Sequence, residues 1–413
     1  RRQRAGFTPL KEIAAMKAIV AGLILTVWAC AFAQNAHFHV ATGGKDTNPG
    51  TKDKPFATVA RARDAVRERI KAGLQADVTV LIHGGTYALA APLVFGTEDS
   101  GTEQHAITYA AAPGETPVIS GGRAVRGWRK AEGSVWTTTL EQDEAGRGFR
   151  NLWVNGRRAV RARFPNADAE TPRVQLQGAS LSKDLRTFTI KLAPGVVKAW
   201  RNASGIEVLI DGNWAINRKR VESVDPKTGT LVMAPPHRKT IPWNQPRKGR
   251  WAYLENSPDF LDQPGEWYLD RKTGTLSYWP LPGEDMVKAH VIAPALTRLV
   301  EVKGTAEKPV RNLHFLGITF AHTDWQIPDV GYFGVQACHH VRGQGEARVW
   351  DRIPCAIRCD HVQGCSFRNG AIGHLGTGGI ELVDGCAQCT VEGNHIFDIS
   401  ANGVMLGGPK TED

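Results

Sequence analysis

Two acidic residues near the end of the chain carry the side chains most suited to proton exchange with a substrate. They are Glu381, in GIEL (379–382), and Asp398, in NHIFDISANG (394–403). Glu381 sits between Ile380 and Leu382, so on a strand its carboxylate points away from the face that those two bury. Arg358 holds the same place in AIRC (356–359), a spacing that suits an ion pair as well as a reactive site. Asp398 stands near a turn together with His395, where an Asp also serves to close the turn. Two carboxyl groups about 5–5.5 Å apart can attack and protonate an acetal with retention, and about 6.5–9.5 Å leaves room for an inverting water. Glu381 and Asp398 are therefore the candidate catalytic residues.

A second group has the chemistry of sugar recognition. His322, Asp324 and Trp325 leave the apolar segment GITF (317–320) together and precede Tyr332 and Phe333. An aromatic face stacks on a pyranose and a carboxylate accepts from its hydroxyls, although Trp325 is better suited to packing between the insert and the helix. His374 lies in a Gly-rich loop (370–379) and can line the same face. Asp324, Trp325, Arg358 and His374 are the expected substrate-binding residues, whereas Asp262 and Glu266 are expected to fix turns. No phosphate-binding Gly-rich loop, HExxH pair or serine elbow is present. No cofactor or metal is expected.

These side chains need a scaffold, and the last eighty residues suggest one by repeating. GVQA (334–337), AIRC, GIEL and GVML (403–406) place Val335, Ile357, Ile380 and Val404 at successive spacings of 22, 23 and 24 residues. Each segment alternates apolar and other residues, the period of a strand. Such a repeat reads as one coil of a parallel β-solenoid. Val335, Ile357, Ile380 and Val404 would form one inward column, and Ala337, Cys359, Leu382 and Leu406 the next. Gln336, Arg358, Glu381 and Met405 would face outward. A second strand per coil is expected at GITF, CSF (365–367) and HIF (395–397).

Upstream, Thr58 caps an expected helix over 59–72 whose apolar face is Val59, Ala62, Val66 and Ile70. The segments VTVLI (78–82), ITYAAAPG (107–114) and PVISGG (117–122) read as further strands. Between about 125 and 300 the period is lost and hairpin signals take over. Asn155-Gly156 separates NLWV from RRAV, and DPKTGTLVM (225–233) echoes DRKTGTLSY (270–278). The expected organisation is upstream residues and a leader over 1–33, a cap and first coils over 34–124, a β-rich insert over 125–300, and a solenoid over 301–413. Without a visible cap after Leu406, the solenoid is expected to continue beyond Asp413.

Of the 413 residues, 42% are apolar and 44 are Gly, a turn-rich globular composition. The formal charge is +10, and residues 34–413 keep 46 basic against 40 acidic residues. That balance is compatible with an acidic polysaccharide, and no basic run with interleaved aromatics points to nucleic acid. From Met16, MKAIVAGLILTVWACAFAQ has the basic, apolar, A-x-A order of an export signal ending at Ala33. A secreted or periplasmic protein follows, with no membrane insertion once the leader is cleaved. Six cysteines remain, from Cys338 to Cys389. Small core residues, disulfides such as Cys365 with Cys389, and a metal site are all open readings.

Several longer segments carry a resemblance. FHVATGGKDTNPGTKDKPFATVARARDAV (38–66) resembles the opening of many secreted right-handed parallel β-helix proteins that act on polysaccharides. EDSGT (98–102), SGGRAVRGW (120–128), LWVNGRRAVRAR (152–163), FLDQPGEWYLDRKTGTLSYWPLPGED (260–285) and HFLGITFAHTDW (314–325) together resemble glycoside hydrolase family 141 and its relatives. The resemblance implies an all-β, right-handed parallel β-helix of the pectate-lyase-like kind, with an N-terminal capping helix and an inserted β-rich domain. It also implies an exo-acting fucosidase or a xylanase, with carboxylate pairs from neighbouring coils, here expected beyond Asp413. The expected function is a glycoside hydrolase acting on glycans derived from plant or algal polysaccharides, with a polysaccharide or oligosaccharide as partner. The alternatives are a polysaccharide lyase, which uses a Lys or Arg base and a carboxylate-neutralising Ca2+ or Arg, and a non-catalytic carbohydrate-binding solenoid.

Overall fold

A computed structural model describes residues 36–141, 146–238, 245–334, 340–342 and 350–407. The expected leader, Met16 to Ala33, lies outside these residues, as do Val335, Gln336, Ala337 and Cys338. Strands dominate. Among the described residues the α-helix is Val59–Lys71, where Thr58 Oγ1 accepts from the Arg61 amide and Val59, Ala62, Ala65 and Val66 are buried. Among the described residues no helix is long and apolar enough to cross a membrane.

Three parallel sheets share one apolar core. The first runs in the order Ala36–Val40, Val78–Ile82, Ile107–Ala111, Leu313–Leu316, Ser366–Arg368, Thr390–Glu392. The second is Gly85–Ala88, Pro117–Ser120, Thr319–Thr323, Ala371–Leu375, His395–Ile399, and the third is Leu93–Phe95, Val300–Lys303, Cys355–Asp360, Gly378–Leu382, Val404–Leu406. Their apolar residues, with the buried side of the helix, form a single cluster. Inside it Tyr109, Phe315 and Phe367 stack with ring centroids 5.7 and 4.9 Å apart.

Between Gly122 and Pro294 the pairing changes character. Here the strands are short, joined by tight turns, and mostly antiparallel. Asn155 and Gly156, both at positive φ (51° and 75°), close the hairpin of Trp153–Val154 with Arg157–Arg158. The two TGT segments do form hairpins. In each an Asp side chain accepts from the backbone two residues on, Asp225 from Lys227 and Asp270 from Lys272, which fixes the turn before the return strand. Two further apolar clusters fill this part, one around Ile190, Val208 and Leu254 and one around Trp267, Leu269 and Leu276.

This architecture corrects the expected fold class. The molecule is all-β, but the described strands divide among eight separate sheets of parallel and antiparallel sense, so a right-handed parallel β-helix does not describe it. The physical reason is local: two-residue turns can only join antiparallel neighbours, and the middle of the chain is full of them. The repeat was also misjudged at one rung. Ile357 and Ile380 pair with Val404 beyond them as expected, but on the other side of Ile357 stands Val300, not Val335. The inward column also loosens at its end, where Val404 is 39% and Leu406 75% exposed. CSF likewise belongs to the first sheet, with Phe367 opposite Val391, while GITF and HIF lie in the second.

Candidate functional site

The antiparallel region meets the parallel sheets along a line of arginines. Alternation sets their direction. In RRAVRAR, Arg161 and Arg163 flank Ala162, which is fully buried in the antiparallel core, so both guanidiniums project to the other side. In Trp251–Glu255, Ala252 and Leu254 are buried and Tyr253 and Glu255 take the opposite face. In Ile216–Asp225, Arg218 lies between buried Asn217 and Lys219. These faces converge on a cleft of about 440 Å³ lined by Arg150, Arg158, Arg161, Arg163, Arg218 and Glu255, with Trp325 and Tyr332 at its aromatic end. The two rings meet edge to face, 5.3 Å apart. The volume falls in the range of about 300–1,000 Å³ usual for small-ligand sites.

Two carboxylates anchor the arginines. Glu207 and Glu255 are direct partners on neighbouring antiparallel strands. Left alone, such a like-charged pair would be destabilising. Arg150 Nε and Arg161 Nη1 each lie 3.0 Å from Glu207, and Arg161, Arg218 and Arg150 reach Glu255 at 3.5, 3.8 and 4.0 Å. Burial opposes ionisation of Glu207, but the charges of Arg150 and Arg161 outweigh it and hold the carboxyl well below its ordinary range. Burial and the nearby Arg150 push the Arg218 guanidinium down from its ordinary value. Arg163 lies 3.9 Å over the Tyr253 ring and donates to the carbonyls of Pro165 and Pro172.

Behind the cleft runs a column in the second parallel sheet. His322, His374 and Asp398 occupy equivalent positions on three adjacent strands, each skipped by the pairing on either side and each at positive φ (64°, 55° and 44°). The left-handed turn directs all three side chains toward the antiparallel region. Asp398 accepts from His374 Nδ1 (2.8 Å), Trp153 Nε1 (3.0 Å) and Arg158 Nε (2.7 Å). Burial raises the Asp398 carboxyl, but these partners prevail and hold it down at about 2. His322 stacks on His374 and bonds Ser120 Oγ at 2.9 Å; burial pushes its imidazole down to about 3, so it is neutral.

The expected site residues therefore fall into separate groups. Trp325 lines the arginine cleft. Asp324 is its neighbour but turns into the wall, where it accepts from the Arg150 amide and Asn151 Nδ2, both at 2.6 Å. Burial pushes its carboxyl above the ordinary range, and it faces a second cleft of about 570 Å³ that also holds Arg220 and Arg271. Asp398 and His374 form the column behind Arg158. Glu381 and Arg358 are elsewhere, in the third parallel sheet. They do pair, at 3.3 Å, with Cys359 and Leu382 buried beside them. Yet Glu381 is not on the surface: it is 1% exposed, enclosed by Arg298 at 2.8 Å, Arg358, and Arg352 at 4.0 Å. Glu266 accepts from the amides of Asp262 and Arg163, as a turn-fixing residue should, and burial pushes it up to about 7.

The arginines and Glu255 escaped the sequence reading, although Arg at every second position of RARF was a visible sign of a polar strand face. The described cysteines, Cys355, Cys359, Cys365, Cys386 and Cys389, are free thiols, the first three buried. Among the described residues no group of His, Cys, Asp or Glu is arranged to hold a metal.

Comparison with known proteins gives these features a setting. Residues 133–281 match the GH141 insertion domain family. A solved structure titled "Glycoside hydrolase" is similar at TM-score 0.78 and 26% identity, covering 91% of this chain and 68% of that one. A second, titled "The complex structure of XylC with xylose", reaches TM-score 0.41 at 15% identity over 89% of this chain and 56% of that one, too remote for any argument. No curated protein matches. The chain is thus glycoside-hydrolase-like, and a carbohydrate is the class of substrate this implies.

Proposed function

We propose that the protein is an exported glycoside hydrolase that acts by two carboxylates on glycans derived from plant or algal polysaccharides, and that it seats the sugar in the arginine cleft. The observation that carries the placement is the Trp325–Tyr332 edge beside Glu255 in one cleft of about 440 Å³. Aromatic faces take the apolar side of a pyranose while carboxylate and guanidinium groups take its hydroxyls. Of the two carboxylates first considered, Glu381 is sealed under arginines, and Asp398 is held ionised, a role for an orienting group. Glu255 is the carboxylate that a ligand in the cleft meets. Asp324 accepts from the Arg150 amide and Asn151 and faces the other cleft, so its part is to fix the wall beside Trp325.

The test is hydrolysis of a glycan panel followed by reducing-end release, comparing the wild-type chain with Glu255→Gln and Trp325→Ala. Loss of turnover in both variants, with the thermal midpoint retained, supports the reading. Undiminished turnover in both removes the cleft from the reaction. An unsaturated product detected by ultraviolet absorbance instead of a new reducing end identifies a lyase, for which arginines beside a uronate would supply the neutralising charge.

A further inference from the structure

The cleft contains more positive charge than its own carboxylates balance. Arg150, Arg161 and Arg218 share Glu207 and Glu255, Arg158 is matched by Asp398, and Arg163 has only carbonyl and ring partners. Asp324 also acts on Arg150 from behind the wall, so five guanidiniums are set against four carboxylates. Two details show how thinly the carboxylates are shared. Arg161 is 9% exposed and divides its guanidinium between Glu207 at 3.0 Å and Glu255 at 3.5 Å. Arg218 comes no closer than 3.8 Å to its only ion-pair partner, Glu255. A guanidinium held this loosely gains a close charge-assisted contact when an anion arrives.

We infer that this cleft is a subsite for an anionic sugar, one carrying a carboxylate or a sulfate ester, which the arginine surplus grips by its charge while Trp325, backed by buried Tyr332, meets its ring. The inference rests on the proposal that the cleft is where the glycan binds and adds the charge class of its occupant. Guanidinium is the group for this task because its planar fork meets two oxygens at once. The hydroxyls of a neutral sugar can accept from these donors but do not balance their charge.

The experiment measures binding of the whole chain by calorimetry to polygalacturonate and to its fully methyl-esterified form, and to a sulfated galactan and its desulfated form. Polyglutamate serves as a polyanion without sugar. The expected result is binding to at least one anionic glycan that weakens as salt rises, with the matching neutral form about tenfold weaker or more, the loss of one charge-assisted contact. Whichever anionic glycan is favoured separates uronate from sulfate. Arg218→Gln should weaken that binding by about tenfold and leave the neutral form within about twofold, whereas Arg186→Gln, which removes an 86% exposed guanidinium paired only with Asp184, should change neither. Equal binding of neutral and anionic forms keeps the glycan reading and overturns this inference. Binding to none of the four glycans overturns both. Equal retention of polyglutamate assigns the effect to the basic surface as a whole and overturns the subsite. The ester and salt comparisons use the unaltered chain, so a variant that fails to fold does not decide the matter.

Discussion

The protein holds two clusters in which three arginines surround glutamate, and they differ in one respect that decides what each can do. In the third parallel sheet Arg298, Arg352 and Arg358 enclose Glu381, while Glu301 and Asp360 take up the outer sides of Arg298 and Arg358 at 3.6 and 3.4 Å. Charges there balance three to three. At the cleft Arg150, Arg161 and Arg218 share Glu207 and Glu255, Asp324 acts on Arg150 from behind the wall, and Arg163 adds a further charge. The first cluster is closed and complete; the second is open and lacks an anion. Sequence type alone does not distinguish a structural ion-pair network from a binding site. The distinction lies in the charge count and in access.

The largest effect expected is at the closed cluster. Glu381→Gln leaves three half-buried guanidiniums without their central anion, which should destabilise the protein by about 3 kcal/mol, since breaking a buried pair exposes its full desolvation cost. Glycan binding per folded molecule should not change. Glu207→Gln should also destabilise, but it adds to the surplus at the cleft and so should tighten binding of polygalacturonate. Denaturant midpoints and calorimetry on the two variants check the contrast. If Glu381→Gln alters binding and Glu207→Gln does not, the clusters have been assigned the wrong way round.

What the sequence disclosed follows the same divide. The rungs Ile357, Ile380 and Val404, the helix cap at Thr58, the Asn155-Gly156 turn and both TGT hairpins were legible because each is fixed by neighbours or by a constant spacing. Val335 was misplaced because a four-residue alternation has no unique address, and Val300, the true neighbour of Ile357, looks just like it. The all-β class was readable, but the division into separate sheets was not, since sheet membership depends on which strands meet after the chain returns. The cleft was invisible for the same reason. Its walls come from residues near 150–163, 218, 255 and 325–332, which only the fold brings together, and Glu381 was taken as a surface group because three arginines cover it from other strands.

The column behind the cleft tests whether the open cluster has a rigid back wall. His322 is neutral when folded, its pKa lowered from 6.5 to about 3. An unfolded chain takes up this proton below about pH 6.5, so the folded state loses stability as pH falls from there toward 3. The loss should be about 2 kcal/mol between about pH 7 and pH 5. His322→Asn keeps a residue tolerant of positive φ and should flatten that slope to what His39, His237 and His314, also lowered by burial, contribute, as followed by thermal midpoints across pH. An unchanged slope would show that another group is responsible.

Asp398 gives a smaller effect in a different window. Its carboxyl is lowered from 3.8 to about 2, so its contribution is complete above about pH 4 and lost only as pH falls through 2. Asp398→Asn retains the left-handed backbone and removes the charge that Arg158, His374 and Trp153 share. With 28% of the side chain exposed, solvent screening trims the effect, and the expected loss at neutral pH is about 1–2 kcal/mol. Arg158 keeps its bonds to the Leu375 and Asp398 carbonyls while its charge loses its match, so polygalacturonate should bind at least as tightly as before. Weaker binding would mean that Arg158 needs Asp398 to hold it in place, and that the back wall positions the site as well as supporting it.

The smallest effect belongs to a pair that resembles the Arg358–Glu381 rung in all but surroundings. Arg368 and Glu392 are partners on adjacent parallel strands, with Nε 3.2 Å from the carboxylate, a contact as short as that of Arg358 with Glu381. Their side chains are 45% and 67% exposed, however, so water competes for both charges and salt screens what is left. Arg368→Ala should therefore change stability by no more than about 0.5 kcal/mol, and less at high ionic strength. The denaturant midpoint at two salt concentrations reads this directly. A loss comparable to that of Glu381→Gln would mean that exposure does not set the worth of these rungs, and the comparison between closed and open clusters would lose its physical basis.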